Sequence, residues 1–265
     1  MVQSSILKRL VGALLLLTLA VVTGCNSRGT DGLDTATYRI EGGMVVDLNR
    51  DSTYIATRVF RNDSTFTDAV VQVDNRVIPY SDLSLGLDSA YTLVDETVAT
   101  YLAEILPVIL LDNTEFGDTL LIPAADSFSI EITDPALRLL QPLGNVQLEW
   151  TGATNAGGYV LAAVHRDSTY QGWGYSLTSL NAQTNLGTIP PDAFVLTDGL
   201  NPDTGWYDVY VYALTGTPDS ALVDELLPAP MPQQFTDNIT GDDLSGRFGV
   251  LIVALKDSVR VAVQP

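Results

Sequence analysis

Tyr207-Asp208-Val209-Tyr210-Val211-Tyr212-Ala213 is the stretch on which the fold turns. Tyr207, Val209, Val211 and Ala213 fall on one side of an extended chain. Successive side chains of a strand point to opposite faces, so this period of two predicts a half-buried strand. Working outward, Val146, Leu148 and Trp150 alternate in the same way, and Tyr159 to His165 and Ala193 to Leu196 read as further strands. Phe248 to Ala254 and Ser258 to Val263 read as a hairpin around Lys256-Asp257.

The pattern extends toward the N-terminus. Tyr54, Ala56 and Arg58 alternate with Ile55, Thr57 and Val59. Ala69 to Val73 and Arg76 to Tyr80 flank Asp74-Asn75, a two-residue link that tolerates the positive φ of a type I′ turn. Thr119 to Ile122 and Ser127 to Ile132, separated by Pro123-Ala124-Ala125-Asp126, form another hairpin candidate. One stretch departs from this: Val98, Leu102, Ile105 and Leu106 share a face at helical spacing and end at Pro107. Val108 to Leu111 then returns to a strand-like run. Thr133 to Asn145, with two prolines bracketing an apolar piece, reads as a linker. The expected architecture is all-β, two antiparallel sandwiches over 37–133 and 134–265, the second with an insertion at 217–246.

The second region resembles a fibronectin type III domain. Trp150 is followed nine residues later by Tyr159, and Leu200, Pro202, Thr204, Tyr207, Val209, Val211 and Ala213 match the family's corner and the strand leaving it. The resemblance implies that Trp150 is core and that Tyr207 braces the corner. Two departures stand out. Gly205-Trp206 gives one residue more than the usual spacing before the tyrosine, and Thr217 to Gly246 replaces a tight hairpin. That insertion holds a helical turn, Ser220 to Leu227, whose Leu222, Leu226 and Leu227 are expected to cover an open end of the sandwich.

The N-terminus has the layout of a secretory signal: Lys8 and Arg9, then an uncharged run from Leu10 to Val22. The run is too short to span a bilayer, which takes roughly 20 residues. Val22-Thr23-Gly24-Cys25 resembles the bacterial lipobox. That resemblance implies cleavage after Gly24, a diacylglyceryl thioether on Cys25 and acylation, as by palmitate, of the new amino terminus. Residues 1–24 are then the signal peptide and 25–36 a lipidated tether reaching roughly 15–20 Å. The layout resembles Bacteroidetes-type lipoproteins that pair two immunoglobulin/fibronectin-like sandwiches behind such an anchor. Asn26 is not the aspartate that, by resemblance to enterobacterial sorting, would retain a lipoprotein at the inner membrane. The expected location is the cell envelope, lipid-anchored, at the outer membrane, facing the periplasm or the exterior.

Composition narrows the partners. The chain has 13 basic and 32 acidic residues, a net charge of −19. Loss of the leader makes the balance more negative, so nucleic acid and anionic lipid headgroups are repelled. Cys25 is the single cysteine, which excludes an internal disulfide framework and a cysteine-based zinc cluster. Much of the acidity sits in turns, where aspartate bonds nearby backbone amides.

Catalytic and metal motifs are sparse. His165 is the single histidine and ends a strand. Gly174-Tyr175-Ser176-Leu177-Thr178 begins like a nucleophile elbow but lacks the closing glycine. Asp47, Asn49 and Asp51 have the 1-3-5 oxygen spacing of a calcium loop, yet Ser52 replaces the turn glycine and Arg58 the bidentate glutamate. The bland alternative is a polar turn. Tyr170, Trp173 and Tyr175 cluster in a short segment and suit either a sandwich end or contact with a glycan or peptide. Arg-Asp-Ser-Thr-Tyr occurs twice, at Arg50–Tyr54 and Arg166–Tyr170, each marking a turn beside a strand.

The expected function is a non-catalytic binding or structural role in the envelope, with no cofactor. The bilayer, through acylated Cys25, and an envelope protein or glycan are the expected partners. A carbohydrate-binding accessory protein and a hydrolase using paired carboxylates are the alternatives.

Overall fold

The computed structural model describes residues 37–73, 76–84, 87–95, 128–167, 185–196, 201–232, 236–241 and 243–263. It also describes Gly199 and short strand pieces between 104 and 121, at 175–176 and at 180–181. The signal segment, Cys25, Tyr170 and Trp173 lie outside the described residues. The main strands in the first half are β1 (Tyr38–Asp47), β2 (Ser52–Arg61), β3 (Val70–Val73), β4 (Arg76–Ile78), β5 (Tyr80–Ser84), β6 (Leu87–Asp95), β7 (Pro107–Leu111) and β8 (Thr114–Phe116). Those in the second half are β9 (Ile130–Asp134), β10 (Leu139–Leu140), β11 (Val146–Trp150), β12 (Gly158–His165), β13 (Leu186–Ile189), β14 (Gly205–Gly216), β15 (Leu244–Val253) and β16 (Asp257–Val261).

The protein is all-β. Its large sheet runs β10-β16-β14-β15-β1-β2-β6-β5, with β12 on the other side of β14. Three smaller sheets accompany it among the described residues: β8-β7-β3-β4, β9-β11-β13 and a two-stranded pair of Glu104–Ile105 with Leu120–Leu121. β14 is the hub, because β12 pairs along one edge while β16 and β15 share the other. Alternation predicted that β14 would be half-buried; instead every residue from Tyr207 to Leu214 is buried. Both faces are covered, and each by a different part of the chain.

The inner face packs against β9-β11-β13. Trp150 is 4% exposed and its ring lies 5.2 Å from that of Tyr159. The Tyr207 hydroxyl donates to the Asp203 carbonyl at 3.2 Å and its ring meets Phe194 edge-on at 5.0 Å. Trp150 in the core and Tyr207 as a corner brace are therefore both observed, and the resemblance signalled both.

The outer face is covered by residues 217–232. Leu222, Val223, Leu226, Leu227, Ala229 and Met231 are buried in one cluster with Tyr210, Tyr212, Leu214 and Leu251. The Tyr212 hydroxyl holds this cover in place, accepting from the Ala229 amide at 3.0 Å and donating to its carbonyl at 3.2 Å. Two glycines make room: a Cβ on Gly43 would meet Val223 Cγ1 at 2.5 Å, and one on Gly249 would strike Pro218. The expectation that Leu222, Leu226 and Leu227 cover the sandwich is met.

β1 lies parallel to β15 in register from Tyr38↔Leu244 to Asp47↔Val253, so strands from both sides of residue 133 share one sheet. This and the β10–β16 pairing depart from a purely antiparallel scheme. Leu139–Leu140 is thus strand within the expected linker.

Four local expectations are corrected. β15 and β16 do not form a hairpin; both run antiparallel to β14, one pairing its C-terminal half and the other its N-terminal half. Residues 254–256 are a kink in one long strand, where the Ala254 amide still donates to Val211 at 3.0 Å. Leu120–Leu121 pairs with Glu104–Ile105, and β9 pairs with β11, so among the described residues the strands expected to form a hairpin across Pro123 to Asp126 pair elsewhere. Glu104–Ile105 is accordingly strand where helical spacing was read, the remainder of Val98 to Leu106 lying outside the described residues. Ala193–Leu196 is not a strand: Pro191–Phe194 forms a 3₁₀ turn that buries Phe194. In the two hairpin cases, pairing with the sequence neighbour gave way to a partner from elsewhere in the chain.

The β3–β4 hairpin has the predicted register, Val73↔Arg76, around the two-residue link.

Candidate binding site

The cover over the outer face of β14 stops at Leu227-Pro228, leaving a cleft of about 560 Å³ beyond it. Even-numbered residues of β14 point to this face, so Tyr212, Tyr210, Asp208 and Trp206 form a row leading from the covered region outward. Tyr212 is fully buried, Tyr210 and Asp208 line the cleft, and Trp206 is 43% exposed.

Asp208 is the electrostatic centre. Its carboxylate accepts from Arg166 Nε at 2.7 Å, Lys256 Nζ at 2.5 Å and Ser258 Oγ at 3.1 Å. Burial alone would raise this carboxyl, but the donors from Lys256, Arg166 and Ser258 hold it below the usual carboxylate range. Burial, reinforced by the Asp208 and Asp47 charges, pushes the Tyr210 phenol up to about 12, so it stays neutral. Arg166 also donates to Ser258 Oγ at 2.5 Å and places its guanidinium 5.3 Å from the centre of the Trp206 ring.

The N-terminal half of the chain builds the opposite wall. Asp47 caps the turn after β1, accepting from the Asn49 amide at 2.8 Å, with Arg50 Nε at 3.4 Å from its other oxygen. Asn49 reaches across to the kink, donating to the Ala254 carbonyl at 2.9 Å and accepting from the Lys256 amide at 2.9 Å. This is the polar-turn geometry: the Asp47 and Asn49 oxygens that would have served calcium face amides and a guanidinium. Among the described residues, no group of three His, Cys, Asp or Glu converges as a metal site. The leading arginines of the two Arg-Asp-Ser-Thr-Tyr segments, Arg50 and Arg166, line the same cleft.

His165 sits behind the row on the inner face. Its Nδ1 accepts from the Asp167 amide at 3.1 Å, and its Nε2 lies 3.3 Å from the Thr204 carbonyl. Acceptance at Nδ1 places the hydrogen on Nε2, and neither nitrogen is left to act as a base. Ser176 pairs with Ala162 in a short strand; the residues that would complete an elbow after it lie outside the described residues. Tyr175 lies beside it, opposite Ala163; Tyr170 and Trp173 lie outside the described residues.

Trp206 was not singled out by the sequence except as part of the extra residue before the corner. Gly205 explains that extra residue. Its φ is +152° and a Cβ would run into His165 Nε2. The spacer turns the chain so that Tyr207 still braces the corner while Trp206 emerges on the outer face. Trp206 pairs directly with Arg260 on β16, and the Arg166 amide donates to the Trp206 carbonyl at 2.9 Å on the other side. One cross-strand row therefore reads Arg166, Trp206, Arg260.

These features define a β-sandwich protein with a recessed cleft in which Arg50, Arg166 and Lys256 meet Asp47 and Asp208, and with an exposed tryptophan farther along the same strand face. No family model matches the chain, and no curated protein matches it. Among solved structures, it is similar to the chicken CNTN1 FN1-FN3 domains, at 8% identity and TM-score 0.25 over 67% of this chain. It is also similar to murine CEACAM1b, at 10% identity and TM-score 0.21, over 85% of this chain and all of that one. The chain spans 58% of the length of the CNTN1 structure.

Proposed function

We propose that this is an extracytoplasmic, non-catalytic binding protein, held to a bilayer through acylated Cys25, whose recognition face is the open end of the β14 outer surface. The single observation that carries the binding role is Trp206: a large indole left 43% exposed on a strand whose next eight residues are buried. Aromatic residues and arginine are enriched at interface cores relative to the rest of a protein surface. The anchor rests on the lipobox resemblance at Val22 to Cys25. Asp208, saturated by three donors, and His165, bonded at both nitrogens, favour recognition over turnover.

A photo-crosslinking amino acid placed at Trp206 in intact cells tests the face. The same probe at Val77, which is 59% exposed on the β3–β4 hairpin, is the control. Adducts formed at Trp206 and not at Val77 support the assignment; equal labelling, or none at Trp206, contradicts it.

A further inference from the structure

We propose that the Trp206–Arg260 row is a subsite for a carboxylated sugar ring, an inference that rests on the binding face proposed above. The backbone of this row is already committed. Gly205 and Trp206 pair with Val261 and Arg260, the Trp206 carbonyl accepts from Arg166, and the Arg260 amide donates to Arg138 at 2.8 Å. A peptide cannot pair with Trp206 or Arg260 as an added strand, because the backbone of each is already bonded on both sides. The ligand has to be read by side chains from a flat surface.

Three side chains supply what such a ligand needs. Trp206 gives a broad apolar plane for the C–H face of a pyranose. Arg166 stacks on it and is itself fixed by Asp208 and Ser258, so the indole is preorganised. Arg260 is exposed, and its side chain has no ion-pair or hydrogen-bond partner among the described residues. In a chain with 32 acidic residues, most of the described arginines face a carboxylate of the protein, and this one does not. A guanidinium binds a carboxylate through two parallel N–H donors. Directly opposed strand residues stand about 4.5–5.5 Å apart at Cβ, which suits a ring on the indole with its exocyclic carboxylate on the neighbouring arginine. The surrounding charge of −19 disfavours densely charged polyanions, so the fitting ligand carries isolated carboxylates rather than closely spaced sulfates or phosphates.

The test is retention of the full chain, in detergent micelles, on an array of uronate-containing and sialylated oligosaccharides beside their methyl esters and neutral counterparts. Carboxylated glycans are expected to be retained and the esters not. Trp206→Ala and Arg260→Ala should each weaken retention at least tenfold with the melting temperature unchanged, and Arg260→Lys should recover part of it. Retention of esters equal to acids overturns the proposal, as does retention indifferent to both alanine variants, or no retention of any carboxylated glycan. Capture of a protein at Trp206 with a blank array leaves the binding face standing and removes the sugar; a blank in both removes both.

Discussion

Asp208 joins three donors, from the turn after β12, the 254–256 kink and β16, so its ionisation is coupled to folding. An aspartate in an unfolded chain titrates near about 3.9, and the folded value is lower because Lys256, Arg166 and Ser258 outweigh burial. Its stabilising contribution is complete above pH ~4 and is lost as pH falls through the folded value. Asp208→Asn should therefore lower the melting temperature at pH 7 and flatten the acid limb of the stability profile. An unchanged acid limb would refute the coupling. Trp150 and Tyr207 were legible in the sequence because each sits at a fixed offset from other strand residues. Trp206 and Arg260 were not, since the first reads as a spacer and the second as an ordinary strand residue. What distinguishes Arg260 is which side chains folding leaves beside it.

The inserted segment at 217–232 is a cover with its own pH response. Asp224 accepts from the Met231 amide at 2.7 Å under this cover. Burial, together with the charges of Asp219 and Glu225, raises its carboxyl to about 6. A raised carboxyl makes the folded state relatively most stable below the unfolded value near about 3.9 and costs stability as pH rises toward 6. Asp224→Asn keeps an acceptor for Met231 and removes that cost, so it should raise stability at pH 7.5 by up to about 2 kcal/mol. The gain should vanish below pH 4, and a gain independent of pH would contradict the assignment. Tyr212→Phe strands both polar groups of Ala229 in the apolar cluster and should cost about 1–3 kcal/mol. It should also open 217–232 to limited proteolysis ahead of the sheet. The apolar spacing of Leu222, Leu226 and Leu227 announced this cover. That β14 would be buried on both faces was hidden, because alternation reports one face and the second is supplied by a segment folding back.

Across the whole molecule, the cleft exists because two distant parts of the chain share a sheet. Asp47, Asn49 and Arg50 leave the end of β1, while Arg166, Asp208 and Lys256 come from the other half, and the ten-residue β1–β15 ladder fixes one set against the other. Most strands were legible, Leu139–Leu140 and the Pro191–Phe194 turn excepted, yet beyond the β3–β4 hairpin most partners were not. Hairpins are the default for neighbouring strands, and the long insertion at 217–246 instead sends Leu244–Val253 alongside Tyr38–Asp47. If the proposed anchor holds, Cys25→Ser should abolish palmitate incorporation and release the protein from membranes on fractionation; equal labelling of both forms would remove the anchor. Because the face is assembled from both halves, the ladder between them has to open only when the molecule unfolds. Native-state hydrogen exchange at the amides of Gly42 to Val46 and Gly249 to Val253 measures this directly. Equal protection of both sets, at the free energy of global unfolding, is the predicted result. Exchange of Gly42 to Val46 through a lower-energy opening, with Gly249 to Val253 still protected, would contradict a shared sheet.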